Sequence, residues 1–431
     1  MPERTLIKNI VNDSKVHLEG FVENCRNKRT MAFIVLRDFS GVIQVTVEKE
    51  KDPALAAAVD QITIGSVIEV DGLAVKNEYV KLGGMEVLAD RITLDSIADP
   101  MPLTKDAAID SRLDYRWIDL RSEKNLLMYK VQTALVAAMR EHLLEKDFIE
   151  IHTPKLIAAA SESGSDVFEL KYFDRKAYLS QSPQFYKQMA MAAGFDRIFE
   201  VGPVFRAEKS FTNKHATEFT GFDIEFSYID SFRDVMDLEA ELLQCALKRV
   251  SEKYGEDIKR VFGKEVVVPT LPFPVMALQD VYKELEARYG FKPEDGDTRN
   301  DLSTEAEHLC AKLSKDMYGH EFLFVTDYGP EKRAFYHMRD ENGNPLGYDL
   351  IWRGCEITTG AQREHRYEQL KKQADEKGLG EDVKFYLEFF RYGCPPHGGF
   401  GLGVDRLTML LFDLSIKEVE FLFRGPNRVT P

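Results

Sequence analysis

Residues 201–208 have the sequence VGPVFRAE, and residues 218–226, which follow a polar stretch of about ten residues, have the sequence EFTGFDIEF. This pattern predicts two strands joined in a hairpin. Such a hairpin can hold Arg206 beside a phosphate, where its planar guanidinium makes two charge-assisted hydrogen bonds, while Phe219 offers its ring to a purine. On these residues alone, a surface hairpin with a solvated arginine is an equally good interpretation.

A glycine-rich stretch, GGFGLGVDR at residues 398–406, precedes an apolar segment at 407–414 that predicts a helix. Glycine lets the backbone approach a ligand closely, and Arg406 at a helix start adds positive charge where backbone N–H groups are unpaired. The spacing matches neither the Walker phosphate loop nor the dinucleotide-binding pattern. Close packing of a glycine-rich strand is the alternative explanation.

Two acidic residues lie between these stretches, within YDLIWRGCEI at residues 348–357. Asp349 and Glu356 are seven residues apart and can meet across a strand bend. Such a pair suits Mg²⁺, which takes one or two carboxylates and leaves its other positions to phosphates. A salt-bridged surface would explain the same residues.

The composition limits the class of protein. The chain has 431 residues, of which 44% are hydrophobic and 30% charged, as in ordinary multidomain globular proteins. No apolar run approaches the roughly 18 residues of a membrane span or the length of a signal peptide, so we expect a cytoplasmic protein without membrane association. The net charge of −15 argues against nonspecific wrapping of nucleic acid. The five cysteines form no C-x-x-C pair, which argues against a disulfide framework or structural zinc.

Two domains are predicted, and the fold class is α+β. Residues 1–100 contain about five short strands with turn signals between them, which suits a small closed barrel. Prolines then break the pattern, so residues 101–121 are the predicted linker. A helix that starts after Ser122, a good N-cap, opens the second domain at 122–431. Within it, residues 230–326 carry helical patterns without a chemical motif, and we interpret them as scaffold.

Together with the strand and proline around Pro154, these stretches resemble the three motifs of the class II aminoacyl-tRNA synthetases. The second motif matches the hairpin, and the third matches Gly401-x-Gly403-x-x-Arg406. The barrel segment at 33–44 is similar to the lysine, aspartate and asparagine subgroup, and the whole chain is closest to its archaeal and eukaryotic aspartyl type. The resemblance implies a five-stranded OB-fold barrel ahead of a catalytic domain with an antiparallel sheet flanked by helices.

The resemblance also implies roles in binding ATP and Mg²⁺. In this family's pattern the α-phosphate is bound by Arg206, adenine by Glu208 and Phe219, the outer phosphates by His215 and Arg406, and magnesium by Asp349, Glu356 and Thr359. Attack of an amino-acid carboxylate on the α-phosphate builds negative charge, and fixed cations lower that barrier without a protein nucleophile or general base.

An amino-acid pocket is implied in the same way, at Glu162, Ser182, Gln184, Lys187, Asp223 and Arg363. Glu162, Gln184 and Asp223 are available for the substrate ammonium. Lys187 and Arg363 would pair with a side-chain carboxylate, which suits L-aspartate and repels lysine. Asparagine would leave a buried Lys187 without a counter-ion, at a cost of roughly 1–3 kcal/mol or more. The alternative is that Lys187 is a solvated surface lysine.

On the barrel, the resemblance assigns anticodon recognition to Arg26, Phe33 and Gln44, by stacking and by hydrogen bonds to exposed base edges. Residues 24–37 form a local basic stretch without an acidic side chain. A barrel-core phenylalanine and a solvated glutamine are the alternative. Residues 28–30, Lys-Arg-Thr, replace the glycine-containing turn of relatives, which leaves the accepted third anticodon base open.

The expected activity is ligation of aspartate to tRNA(Asp), and tRNA(Asn) is a further candidate substrate. Pro154 and its preceding helix resemble the family's dimer-forming motif, so we expect a homodimer. The alternatives are an asparagine-specific or dual-tRNA enzyme, a tRNA-independent amide ligase similar to asparagine synthetase, and an RNA-binding module with an inactive catalytic domain. The barrel argues against the amide ligase, and the ATP-site residues argue against the inactive module.

Overall fold

The computed structural model describes residues 3–431 except 105, 159–166, 211, 294–297, 299 and 300. The chain divides into two compact units, residues 1–119 and 120–431. Within the described part of the chain, we find no helix with the length and apolar character needed to cross a bilayer.

The first unit is a closed five-stranded barrel with strand order β1-β2-β3-β5-β4, as predicted. Its strands are β1 (Ser14–Asn27), β2 (Met31–Arg37), β3 (Val42–Glu48), β4 (Val67–Lys76) and β5 (Met85–Ser96), and its helices are α1 (Pro53–Gln61), α2 (Ile109–Asp114) and α3 (Arg116–Asp119). Strand β2 buries Ala32, Ile34 and Leu36, while the residues between them face outward. This two-residue period separates a core face from a face that is open to a ligand.

The second unit begins with α4 (Glu123–Glu145), and Ser122 is its N-cap, as predicted. The Ser122 hydroxyl accepts a hydrogen bond from the Asn125 backbone N–H at 3.2 Å. The other helices are α5 (Gln184–Ala192), α6 (Phe232–Phe262), α7 (Leu278–Tyr289), α8 (Thr304–Tyr318), α9 (Tyr367–Glu376), α10 (Lys384–Leu387), α11 (Val404–Phe412) and α12 (Ile416–Val419). Helix α11 therefore starts three residues before the predicted apolar segment at 407–414.

The centre of this unit is an eight-stranded sheet with order β12-β13-β14-β15-β16-β11-β10-β6. Its strands are β6 (Ile149–Glu150), β10 (Arg197–Phe205), β11 (Glu218–Ser227), β12 (Val275–Ala277), β13 (Phe322–Thr326), β14 (Gly347–Trp352), β15 (Cys355–Arg363) and β16 (His397–Gly403). A small second sheet contains β7 (Leu156–Ile157), β8 (Glu169–Tyr172) and β9 (Arg175–Leu179).

The main sheet is mixed, because its two edge strands pair in parallel: β12 with β13, and β6 with β10. The strands between them pair antiparallel, as expected. The region 230–326 was interpreted as helical scaffold, yet it also contributes β12 and β13 to this sheet.

Strand β16 lies between β11 and β15 and places Gly401 opposite both Asp223 and Thr359. A Cβ at Gly399 would lie 2.1 Å from the Ile224 carbonyl oxygen, and one at Gly401 would lie 2.9 Å from the Asp223 carboxylate. Close packing is therefore a sufficient reason for these two glycines. They leave room for acidic side chains of β11 at the centre of the sheet.

Candidate active site

A cavity of about 380 Å³ opens over the central strands of the second unit. Its basic lining consists of Arg206, Lys214, Lys332, Arg333, Arg363 and Arg406, and its acidic lining consists of Glu208, Asp223, Asp301, Asp349, Glu356 and Asp405. The predicted ATP-binding and amino-acid-binding residues of the described chain thus line this cavity, except Lys187, which is buried and is not part of the lining. So many charges suit a ligand that carries phosphates and an ammonium group.

The predicted hairpin is present as the antiparallel pair β10 and β11. The Arg206 guanidinium lies over the Phe219 ring, 5.5 Å from its centroid, and its Nη1 lies 3.7 Å from the Glu208 carboxylate. The Arg206 side chain remains 44% exposed. Arg206 is therefore held at the cavity by an aromatic face and an acidic neighbour, and it keeps N–H groups accessible to a ligand.

The positive groups of the hairpin loop and of α11 lie near one another. Burial and the charge of Arg406 lower the pKa of His215, and Arg206 adds to this effect. Arg406 also donates from Nη1 to the Glu356 carbonyl oxygen at 2.9 Å, which fixes it against β15. Lys214 in the same loop pairs with Glu307 of α8 at 2.9 Å.

The two carboxylates predicted for magnesium meet on adjacent strands. Asp349 on β14 is the register partner of Thr359 on β15, and the Thr359 hydroxyl donates to Glu356 at 3.1 Å. Burial and the charge of Asp349 raise the pKa of Glu356 to about 7. Asp349 is buried, so the surface explanation is wrong for it. Two carboxylates and a hydroxyl are the hard oxygen donors that Mg²⁺ accepts, so the residues fit this ion.

Arg333, which the sequence did not single out, forms a bidentate ion pair with Asp349. Its Nη1 and Nη2 donate to the two carboxylate oxygens at 2.7 and 2.6 Å. The guanidinium also lies 3.8 Å from the centroid of the Tyr328 ring. Burial alone would lower the pKa of Arg333, but the Asp349 charge raises it. Arg333 lies in a loop without any motif, so no sequence signal could have identified it.

The surroundings of Lys187 differ from both predictions made for it, a cation that only a substrate carboxylate neutralises and a solvated surface lysine. Its side chain is only 1% exposed, so it is not a solvated surface lysine. Its Nζ lies 2.9 Å from Asp223 and 3.5 Å from Glu225, so two counter-ions are present without any substrate. Bound asparagine would therefore not leave Lys187 without a counter-ion, and this prediction is wrong. The physical reason is that residues two apart on β11 point to the same face, towards α5.

Glu225 connects the two predicted cations of the amino-acid pocket. Arg363 donates from Nε to Glu225 at 3.0 Å, and from Nη2 to the Gln184 side-chain oxygen at 3.2 Å and the Gly399 carbonyl oxygen at 2.8 Å. Burial would raise the pKa of Glu225, but the charges of Arg363 and Lys187 lower it. Glu225 was not among the residues predicted from the sequence, although the two-residue period shared with Asp223 could have identified it.

The remaining predicted residues of this pocket have different outcomes. Ser182 lines the cavity, and its hydroxyl accepts a hydrogen bond from the Gln184 backbone N–H at 3.1 Å. Glu162 lies outside the described residues.

On the barrel, the three predicted anticodon residues share the outer face of neighbouring strands. Arg26 pairs in register with Phe33, and its guanidinium lies 5.3 Å from the ring centroid. Gln44 donates from Nε2 to the Glu86 carboxylate at 3.0 Å. Phe33 is only partly buried and faces away from the core, so the barrel-core alternative is wrong. The segment 28–30 is exposed at the tip of the β1–β2 hairpin.

Comparison with known proteins agrees with both units. The family model for class II tRNA synthetases (D, K and N) matches residues 108–424, and the OB-fold nucleic acid binding domain matches residues 16–95. The chain is 40% identical over 425 residues to the aspartate–tRNA(Asp/Asn) ligase of Methanopyrus kandleri, covering 97% of this chain and 96% of that protein. It is 38% identical over 435 residues to the aspartate–tRNA(Asp) ligase of Picrophilus torridus, covering 99% and 100%.

Solved structures agree as well. The asparaginyl-tRNA synthetase of Pyrococcus horikoshii complexed with asparaginyl-adenylate has a TM-score of 0.92 at 30% identity, with both chains fully covered. The aspartyl-tRNA synthetase of Entamoeba histolytica has a TM-score of 0.88 at 29% identity, covering 100% of this chain and 93% of that one. These relatives are ligases that use tRNA, and their family uses ATP. With its barrel, its mixed sheet and its charged cavity, the chain belongs to the class II tRNA synthetases of the D, K and N group.

Proposed function

We propose that this chain is an aspartate–tRNA ligase, which activates L-aspartate with ATP and transfers it to the 3′ end of tRNA(Asp). The observation that carries the proposal is Arg363, which lines the cavity and has both Nη1 hydrogens without a hydrogen-bond partner in the described chain. The Nη1 group can donate a charge-assisted hydrogen bond to one oxygen of a carboxylate.

The choice of aspartate over asparagine does not follow from charge counting, since Asp223 and Glu225 already balance Lys187 and Arg363. It is supported by Arg363 and by relatives named as aspartate ligases at 36–40% identity. An asparagine-specific enzyme is the second candidate, because a solved asparaginyl-tRNA synthetase has the same fold at 30% identity. Arginine also donates to an amide oxygen, so the two substrates need a direct comparison.

The proposed chemistry has two steps. The α-carboxylate of aspartate attacks the α-phosphorus of ATP, which forms an acyl–phosphate bond and releases pyrophosphate. A terminal ribose hydroxyl of tRNA then attacks the acyl carbon, loses its proton, and releases AMP. In the first step Arg206 would bind the α-phosphate and His215 and Arg406 the outer phosphates, while Phe219 and Glu208 hold adenine. Fixed cations stabilise the charge that develops on phosphorus oxygens.

We also propose that Asp349, Glu356 and Thr359 hold Mg²⁺. When bound, this ion would neutralise phosphate charge and orient the outer phosphates. The contribution of the chain is to present the two carboxylates on neighbouring strands with Asp349 held in place by Arg333.

For tRNA, we propose an anticodon-binding domain at 1–100, a linker at 101–121 and a catalytic domain at 122–431, acting in the cytoplasm. Arg26, Phe33 and Gln44 would stack on and hydrogen-bond to anticodon bases. Relatives named for both tRNA(Asp) and tRNA(Asn) support a test of tRNA(Asn) as a second substrate.

A homodimer is proposed from α4 and the segment around Pro154. Apolar side chains near this segment are exposed in the single chain, at Leu144, Ile149 and Leu156. Burial of such residues favours association. Sedimentation velocity at micromolar concentration should give the mass of two chains, and a single-chain mass would contradict the proposal.

The decisive experiment is amino-acid-dependent ATP–pyrophosphate exchange with aspartate, asparagine and lysine. We expect exchange with aspartate, and loss of at least about 100-fold in Arg206→Ala, since one oxyanion-stabilising donor contributes this much. Exchange with asparagine alone would refute the choice of substrate. Charging of the two purified tRNAs then decides the tRNA range, and asparagine formation from ammonia without tRNA would indicate the amide ligase.

A further inference from the structure

A buried chain of polar side chains runs from His397 on β16 to Gln184 in the proposed amino-acid pocket. His397 and Gln188 both have no exposed surface. The His397 Nδ1 lies 2.8 Å from the Pro395 carbonyl oxygen, with the Cys394 thiol at 3.7 Å, and its Nε2 lies 3.1 Å from the Gln188 Nε2. Because a carbonyl oxygen only accepts, the short contact requires the hydrogen of His397 on Nδ1.

This tautomer determines how both glutamines are oriented. With its hydrogen on Nδ1, His397 offers a lone pair at Nε2, and the Gln188 amide nitrogen must donate to it. The Gln188 oxygen then accepts from the Gln184 Nε2 at 3.0 Å and from the Tyr386 hydroxyl at 2.9 Å. The Gln184 oxygen is consequently left for Arg363, whose Nη2 donates to it at 3.2 Å.

The opposite orientation would place a donor against a donor at Gln184 and an acceptor against an acceptor at Gln188. A reversed Gln184 would direct its NH₂ at the Arg363 guanidinium, and a reversed Gln188 would direct its oxygen at the His397 lone pair. An unsatisfied buried polar group costs about 1–3 kcal/mol, and the side chains of His397, Gln188 and Gln184 are buried, so water does not replace a lost partner. Burial also lowers the pKa of His397 to about 4, so the ring is neutral at pH 7.

We propose that His397 and Gln188 are positioning residues, which set the amide orientation of Gln184 and thereby hold Arg363 with its two Nη1 hydrogens directed at the substrate. Arg363 is held by three acceptors, and Gln184 supplies the only one of them on a side chain that can rotate to present a donor. The inference rests on the proposed function for the identity of the ligand and is independent of which amino acid binds.

The tautomer can be measured directly. Histidine labelled with ¹⁵N, recorded by long-range ¹H–¹⁵N correlation at pH 7, distinguishes Nδ1–H from Nε2–H, and His397→Asn assigns the signal among the nine histidines. We expect Nδ1–H in the unmodified protein. In Gln188→Glu, the carboxylate cannot donate to Nε2, so we expect the ring to take up a second proton at pH 7.

The kinetic test is Gln188→Met, which removes the Gln188 amide and keeps His397, Gln184 and Arg363. We expect the KM for the amino acid in pyrophosphate exchange to rise about 10-fold, with the KM for ATP within twofold, because the Gln184 amide contacts Arg363 and Glu225 of the amino-acid pocket and none of the predicted ATP-binding residues. Tyr386→Phe is the matched control: it removes a buried donor to the same Gln188 oxygen without permitting either amide to reverse. We expect its amino-acid KM to change by less than threefold.

Each outcome counts for or against the proposal. An Nε2–H signal in the unmodified protein overturns it, and this result stands even if Gln188→Met does not fold. An amino-acid KM in folded Gln188→Met within twofold of the unmodified value, or equal to that of Tyr386→Phe, also overturns it. If the unmodified enzyme uses asparagine rather than aspartate, the substrate assignment fails, and the same KM comparison with asparagine still tests the positioning residues.

Discussion

Replacing Glu225 by glutamine tests whether a single buried carboxylate balances the two cations of the amino-acid pocket. Glu225 accepts from Arg363 at 3.0 Å and lies 3.5 Å from the Lys187 Nζ. Glutamine keeps the shape, but its NH₂ group would face Lys187 if its oxygen stays with Arg363. Within the described residues, Lys187 would then keep Asp223 as its carboxylate partner, and Arg363 would lose the carboxylate that it pairs with. Removing one partner of a buried ion pair costs about 3–5 kcal/mol.

This cost predicts a large fall in thermal stability. An unfolding entropy of about 2.1 cal/mol/K per residue over residues 120–431 corresponds to a change in Tm of about 1.5 °C per kcal/mol, so Glu225→Gln should lower the Tm of the second unit by about 5–8 °C. Aspartate should restore part of this loss, because its side-chain carboxylate supplies a counter-ion to Arg363. Asparagine should restore less, and this difference should exceed the difference found in the unmodified protein.

Differential scanning fluorimetry at pH 7.5 with and without each amino acid measures both effects. Glu239→Gln is the matched control, because Glu239 is equally buried but accepts from the Tyr348 hydroxyl, and burial raises its pKa to about 7. We expect Glu239→Gln to change the Tm by less than about 3 °C, since no buried cation loses a partner. A Glu225→Gln shift no larger than that of the control would refute the charge balance described above.

Three further predictions concern other parts of the chain. Arg333→Met should bind Mn²⁺ in the absence of nucleotide at least about 10-fold more tightly than the unmodified protein, because the Asp349 carboxylate loses its cation. Electron paramagnetic resonance of free Mn²⁺ measures this affinity, and an unchanged value would show that Arg333 does not control the site. Phe33→Ala should raise the KM for tRNA about 10-fold without changing pyrophosphate exchange, since base stacking contributes about 1–3 kcal/mol. An equal effect on pyrophosphate exchange would indicate misfolding instead. Burial lowers the pKa of His397 from 6.5 to about 4, so its contribution to the free energy of unfolding is complete above pH 6.5. This contribution falls by up to about 3 kcal/mol as the pH drops to 4. Urea unfolding at several pH values should show a smaller decrease in the free energy of unfolding over this range in His397→Asn.

Much of the fold follows from local patterns in the sequence. The period of two in the first hundred residues predicts the barrel strands, and the helical spacing after Ser122 predicts α4 with its N-cap. The edges of the sheet were not predictable in this way. Strand β6 has only two residues, and β12 has three, so their parallel pairing depends on the neighbouring strands rather than on their own sequence.

The candidate site was predictable to the level of residue types and their convergence. The hairpin, the glycine-rich strand and the acidic pair indicated a phosphate and metal site, and Arg206, Glu356 and Arg406 do line one cavity. The pairing state of the charges was not predictable. Lys187 was predicted to pair with the substrate carboxylate, whereas in the structure it pairs with Asp223 and Glu225.

The sequence by itself determined the two-domain architecture, the strands and helices that carry the motifs, and the set of charged residues available for chemistry. Only the tertiary structure decided which charges neutralise one another and which remain for a ligand. Asp223 lies 36 residues from Lys187, Asp349 lies 16 from Arg333, and His397 lies 209 from Gln188. Hydrogen bonds and ion pairs depend on distances of about 3 Å between particular atoms, and such distances across different elements are set by how strands and helices pack.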